Sequence, residues 1–565
     1  MNVLMIAVAL THWAVPPLSD EMRLPDAEPS DGEKGGVVRI VAARDEYEPG
    51  SFVVRADADL ADVTLAVSEL KTDEGEVFPA ADVDLRVVKV WYQNLNGWYS
   101  YFADDGKRLC PELLLHDDGL IRVDTKSEDN YARLTSADGK VEERWITPPK
   151  EMDKRYYETY WRDTRGFFPM RGDFRDAPAL RPLALAKGEA KQFWLTVRTH
   201  PETPAGVYRG EVKVKSEKGK SAEFSIPVVV RVLPFVLPQP KAYQDPEKDF
   251  LVCSYSYHGF DHIMEENGGD RELAKRQLLA ILRNQVAHNQ TMHMPRGDRR
   301  EVAETIEIMR AAGMRLDPYI GPGGEGGQHY WGGLPLARRA KNVRAFYDRV
   351  LGPTNRVYLL LGDEPGPWRF NTWRETHEAF QKEGFKFFIA SPQAIFHKAA
   401  PFYGWHNHNC TPETPEMPAR WNQTGDTYSA WYSTHHVGPE NPAFNRRQNG
   451  LTPWLSGFTA LCNYAHHLGT WNDASTLYKP MVFAYGTSDG VVDTLAWEGF
   501  REGVDDIRYG TLLCRLARQA RDEKTPARHN LGIRALVYLA MLDKTGADLE
   551  TARLEMIDMI LELMK

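Results

Sequence analysis

The sequence predicts an α+β multidomain fold: an N-terminal antiparallel β-sandwich, then a (β/α)8 TIM-type barrel, then a C-terminal helical tail. Three observations carry that prediction. Short β-type runs alternate with turn residues from about 36 to 235, apolar strand-like runs then alternate with helix-like stretches to about 465, and apolar residues recur at helical spacing toward the end. The expected segments are 1–237, with a long insertion at 94–176, then 238–490 and 491–565.

In the first segment the strand signals are VVRIVAA, SFVVRA, VTLAVSEL, VDLRVVKVW, QFWLTVRT, GVYRGEVKVKS and FSIPVVVRVL. Their length and spacing suit an antiparallel sandwich. The insertion is rich in Tyr, Trp and Asp and reads as irregular, which in a connection of that length points to function or mobility. The apolar run Val3 to Leu10 lacks a basic flank and is expected to be a first strand rather than a signal peptide. Pro234, Pro238 and Pro240 close the segment, because proline removes ladder donors and holds the chain extended.

Eight apolar runs follow: 251–257, 291–295, 314–320, 357–365, 385–391, 401–408, 427–433 and 457–465, with helical stretches between at least the first five. That rhythm is a barrel's, whose chemistry sits at the C-terminal strand ends. In the tail, Asp493 or Thr494 can cap a helix carrying Leu495, Phe500, Val504 and Ile507. Its charges Arg501, Glu502, Asp505 and Asp506 are read as a solvated ion-pair surface.

Composition narrows the function. Lys and Arg number 69 against 79 Asp and Glu, a net charge of −10, which disfavours nucleic acid and anionic membrane as partners. No run of about 18 apolar residues is present, so no membrane span is expected. The five cysteines form no CxxC pair, which disfavours a disulfide framework or structural zinc. Aromatic residues make up 11%, and nine of the 15 Trp fall between 331 and 497, a bias that suits stacking on a neutral ring-shaped ligand. Compartment and oligomeric state are left open, a homo-oligomer included.

The sharpest motif is the apolar run 357–361 ending in Gly362, Asp363, Glu364 and Pro365. Neighbouring side chains on a strand face opposite ways, so adjacent acids can share one site only where the strand runs out into a loop. There, like charges raise one pKa and leave a protonated acid beside an ionised partner. Candidate substrate contacts on neighbouring strand ends are Tyr257, His258, Asp317, Trp405, His406, Trp431, Tyr432 and Trp471. His406 with His408, and the pairs at 435–436 and 466–467, raise a metal-hydrolase reading. With no HExxH and no second HxH, no metal or other cofactor is expected. The GPGGEG run at 321–326 reads as a loop, since no helix opens from it.

The runs ARDEYEPGSFVV (43–54) and KQFWLTVRTHPETPAGVYRGEVKV (191–214), the GDEP motif and the tail LAWEGFREGVDDIRYGTLL (495–513) resemble glycoside hydrolase family 123 and its broader relatives, over most of the chain. The resemblance implies a retaining exo-acting β-N-acetylgalactosaminidase in which the substrate's own acetamido group is the nucleophile. It implies Asp363 as the residue that orients that group and Glu364 as the acid and base, with Tyr432 bonding the acetamido oxygen and Trp431, Trp405 or Trp471 walling the pocket. Two rivals stand beside it: a two-carboxylate glycosidase on a sugar lacking the acetamido group, and a non-catalytic carbohydrate-binding protein.

Overall fold

The computed structural model describes residues 10–94, 107–136, 138–146, 174–218, 222–256, 259–295, 299–322, 333–363, 367–390, 404–408, 418, 427–431, 440–468, 471 and 481–565. The side chains of 94, 217–218, 222, 266, 361–363, 367, 370, 406–408 and 468 are not part of that description. The expected strand over Val3 to Leu10 lies almost wholly outside the described residues; a strand Leu10–Val15 follows it. The fold is mixed α/β, and the chain divides into two compact units: 1–237 with 436–445 and 469–502, and 238–435 with 446–468 and 503–565. No helix among the described residues is long and apolar enough to cross a membrane.

The first unit holds a six-stranded antiparallel sheet in the order Glu33–Lys34, Leu10–Val15, Glu46–Ala56, Ala190–Thr199, Val83–Asn94, Lys107–Leu115. A five-stranded sheet runs Leu183–Leu185, Leu60–Val67, Gly206–Lys218, Ala222–Val236, Val38–Arg44, the last pair parallel. Alternate residues of both feed one apolar cluster, including Phe52, Val87, Phe193 and Leu195 from the first and Ile40, Val212 and Ile226 from the second. Each such side chain stabilises the unit by about 1.5–3 kcal/mol through burial. Two sequence runs that carry the family resemblance have structural work here. A Cβ at Gly50 would stand 2.8 Å from Val38 and Ile40 side-chain atoms, so only glycine lets those chains approach. The Glu46 carboxylate accepts from the Ala43 amide at 2.6 Å, and Thr199 donates to the Ala43 carbonyl at 2.7 Å, fixing the turn at Asp45, whose φ is 63°.

The 94–176 stretch departs from the irregular reading. It contributes Lys107–Leu115 to the large sheet and forms a three-stranded sheet of Ile121–Asp124, Asp129–Thr135 and Val141–Trp145. Pro111 and the register shift opposite Lys89 and Val90 interrupt the alternation that marks a strand in sequence.

The second unit holds parallel strands in the order Leu251–Ser256, Ala460–Leu468, Tyr428–Trp431, Gly404–His408, Lys386–Ala390, Val357–Asp363, Tyr319–Pro322. The first expected strand lies beside the eighth, as in a barrel, but the closed eight-stranded ladder is not formed by the described residues. The second run, 291–295, is not a regular strand; Met292 N–H donates to the Val252 carbonyl at 3.1 Å and Arg315 N–H to the Thr291 carbonyl at 2.8 Å. What stands is an open, parallel, barrel-like sheet. Helices Arg271–Ala287, Arg299–Ala312, Leu336–Leu351 and Arg374–Gln381 belong to the same unit.

The tail's charge run is buried, not solvated. In helix Leu495–Arg521, capped by Thr494 Oγ1 accepting from Trp497 N–H at 3.2 Å, residues Glu498, Arg501, Glu502, Asp505, Asp506 and Arg508 are all 4% exposed or less. In the first unit Glu498 accepts from Trp194 Nε1 at 3.1 Å and pairs with Arg501 at 2.5 Å. In the second, Asp506 holds Arg446 at 2.7 Å and Arg553 at 2.6 Å, and Asp505 holds Arg508 at 2.7 Å. Local i,i+3 pairs and the remote partners Trp194, Arg446 and Arg553 together make this burial possible, because a buried charge is tolerated only when paired. Gly503 follows the same logic: a Cβ there would lie 2.5 Å from the Arg446 carbonyl oxygen.

Candidate active site

The run Val357–Asp363 is a strand because it is apolar and flanked on both edges by partners, Tyr319–Pro322 and Lys386–Ala390. Tyr358 and Leu360 belong to the sheet's interior cluster, while Leu359, 1% exposed, is not in it. Above Leu360 the alternation slips. Leu360 is level with Phe388, but Asp363 is level with Ala390, so three steps on one strand match two on the other. One extra residue, at 361–362, is a β-bulge, and it gives position 363 the register of Ala390, an interior residue. Asp363 thus ends its strand at the C-terminal edge; its side chain, and the whole of Glu364, lie outside the described residues.

Toward the N-terminal end of the sheet the interior is filled by aromatic rings. Trp405 stacks on Phe388 with centroids 5.6 Å apart, leans on Tyr428 at 5.3 Å and meets Tyr358 edge-on at 6.2 Å. With no exposed surface, Trp405 is a core ring and not a pocket wall. Tyr428 is anchored below: its hydroxyl accepts from Arg356 at 3.2 Å, and the Lys248 ammonium stands 4.9 Å over its ring. Gly404, at φ 88°, starts the strand where a Cβ would press on Lys386 and Tyr358 at 2.9 Å.

The remaining candidates separate. Asp317 precedes its strand, Tyr319–Pro322, so it lies at the N-terminal end, opposite the edge where Asp363 sits; it accepts from the Arg356 amide at 3.0 Å and guanidinium at 3.1 Å. The sequence run 314–320 looked like one strand ending there, but residues 314–318 have no strand structure. Trp471 falls in the first unit's core, edge-on to Trp91 at 6.0 Å and Phe174 at 5.0 Å, with its indole N–H donating to the Gly486 carbonyl at 2.7 Å. Trp431 does end its strand, 5% exposed and edge-on to Phe458 at 5.2 Å. Its indole nitrogen is buried without a hydrogen-bond partner. The backbone of His406 pairs with Ile389 and Ser429, its side chain lying outside the described residues, as do Tyr257, His258 and Tyr432 altogether.

Two residues that the sequence also places at strand ends, Tyr255 on the first run and His293 on the second, lie in the interior of this unit. Tyr255 wedges edge-on between Phe388 at 6.1 Å and Tyr464 at 5.6 Å, in a strand, Leu251–Ser256, that is buried at every residue. His293, on the run without regular strand structure, is 3% exposed, and burial pushes its pKa down to about 4, so it is neutral at pH 7.

No family model matches the chain, and no curated protein sequence is similar to it. Among solved structures, the fold is similar to that of a family 123 glycoside hydrolase from Clostridium perfringens, described for glycolipid glycan hydrolysis, with a TM-score of 0.62 over 97% of this chain and 100% of that one at 10% identity. A β-glucuronidase 2 from Bacteroides uniformis, covalently bound to cyclophellitol-6-carboxylate aziridine, matches with a TM-score of 0.28, 9% identity, and 86% and 50% of the two chains. A GH5 xyloglucanase from Bacteroides ovatus gives 0.28 at 7% identity over 83% and 98%. Scores of 0.28 are too low to build on; the first likeness is one of fold.

Proposed function

We propose that the protein is a retaining exo-glycoside hydrolase that releases a terminal 2-acetamido sugar, N-acetylgalactosamine, with the substrate's acetamido group as nucleophile. The observation that carries the reading is the whole-length likeness in fold to a family 123 glycoside hydrolase, coinciding with Asp363 at the C-terminal edge of a parallel strand. The two sheets of the first unit are read as a sandwich and the open parallel sheet as a barrel.

A neighbouring-group mechanism needs no enzymic nucleophile across the ring, so adjacent carboxylates suffice where ordinary retaining and inverting enzymes need a separated pair. Asp363 orients the acetamido group and stabilises the positive charge as it closes on the anomeric carbon. Glu364 protonates the glycosidic oxygen as the bond breaks and then takes a proton from the attacking water. Trp431, Tyr432, Tyr257, His258 and His406 are the proposed sugar contacts. Asp317, Trp405 and Trp471 are released from that role by their positions.

The test is a panel of 4-methylumbelliferyl glycosides with and without a 2-acetamido group, run on wild type, Glu364→Gln and Asp363→Asn. Turnover of the acetamido substrate, lowered about 100-fold or more in each variant, is expected. Turnover undiminished in Glu364→Gln sinks the assignment; activity on plain glycosides alone transfers the site to a two-carboxylate glycosidase.

A further inference from the structure

The three-stranded sheet of the first unit has two unlike faces. Ile121, Ala132 and Leu134 turn into the core, and Asn130 exchanges hydrogen bonds of 3.0 and 2.7 Å with the Tyr92 backbone. On the other face Arg122 and Trp145 flank Tyr131, since both are its register partners. Trp145 is 48% exposed on an edge strand, yet it is held in place: its indole N–H donates to Asp129 at 3.0 Å. The Arg122 guanidinium lies 4.0 Å from the Tyr131 ring centroid and donates to Glu143 at 2.8 Å.

Arg122 pairs with both Glu143 and Asp124, and Arg133 stands opposite Glu143 in the ladder, so two guanidinium groups offset most of the charge of three carboxylates, Asp129 being the third. The face therefore offers a fixed, open indole ringed by hydrogen-bond donors and acceptors with little net field. That complements a neutral ring bearing hydroxyls, with C–H groups for the indole and hydroxyls for the rim, and complements neither a polyanion nor a polycation.

We propose that this face is a glycan-binding subsite that takes a neutral pyranose chain, one ring stacked on Trp145 and its hydroxyls bonded by Asp129, Glu143 and Arg122. The proposal rests on the reading that the protein acts on glycans, and adds that the natural substrate is an extended glycan rather than a small glycoside. Affinity electrophoresis through gels containing glycol chitin, asialomucin or heparin tests it, on wild type, Trp145→Ala and Trp145→Phe, with 4-methylumbelliferyl glycoside turnover measured alongside. Expected is retardation of wild type by a neutral glycan, about tenfold weaker in Trp145→Ala and largely kept in Trp145→Phe, with turnover of the small substrate equal in all three. No retardation by either neutral glycan, equal retardation of Trp145→Ala, or retardation by heparin alone overturns it. Binding without turnover in wild type overturns the hydrolase reading and leaves this one standing; turnover without binding does the reverse.

Discussion

Replacing Asp506 by asparagine removes the anion between two buried guanidinium groups. Asp506 accepts from Arg446 at 2.7 and 2.9 Å and from Arg553 at 2.6 Å, and the three residues are 0%, 3% and 2% exposed. Asparagine keeps one acceptor oxygen but no charge, so two like charges are left side by side away from water. Glu550, which also meets Arg446 at 3.1 Å, has a side chain 64% exposed and is too well solvated to replace it. Breaking a buried pair from one side costs about 3–5 kcal/mol, and here two cations lose their partner, so we expect a loss of about 4 kcal/mol or more, a large part of a typical domain's stability. Urea unfolding followed by circular dichroism measures it. The double variant Asp506→Asn/Arg553→Met should lose less than Asp506→Asn alone, because only one unpaired charge remains. The acid limb gives a second readout. Burial acts to raise the Asp506 pKa, but Arg446 and then Arg553 outweigh it and hold the carboxyl below its ordinary 3.8. Its contribution is therefore present above about pH 3.8 and fades as pH falls through the lower folded value; the asparagine variant lacks that fade. A loss under about 1 kcal/mol, or a double variant no better than the single, would refute the buried-network account.

Gly50→Val should destabilise the first unit by about 1–3 kcal/mol or more, because its side chain would begin 2.8 Å from Val38 and Ile40; an unchanged melting temperature would show that the two chains are free to part. His293 is held neutral by burial, with a pKa of about 4 against 6.5, so its contribution is present above pH 6.5 and lost as pH falls from 6.5 to 4. His293→Met should flatten the stability profile over that window, as read by thermal unfolding at half-unit pH steps.

Much of the fold was legible because it is written in period. The strands of the first unit alternate in the open, and the strand–helix rhythm after Pro240 marks the parallel sheet. The strand that ends at Asp363 was legible for the same reason, as an apolar run that stops in an acid. What was not legible depended on partners far away in the chain. Charges at 498–508 looked solvated because nothing local reveals that Arg446, Arg553 and Trp194 meet them. The tryptophan excess misled in part: Trp405 and Trp471 look like sugar platforms by composition, and only packing shows them to be core. Asp317 misled through a boundary, since a shift of the strand start by a few residues moves an acid to the other end of the sheet.

The surplus residue at 361–362 has a consequence for inheritance. A strand counts in twos, so one added position reverses the parity of everything after it while leaving the ladder below untouched. Without the bulge a strand of this length would carry Asp363 one step past Ala390; the surplus residue absorbs that step, so a chain one residue shorter here would keep the acid level with Ala390 by losing the bulge.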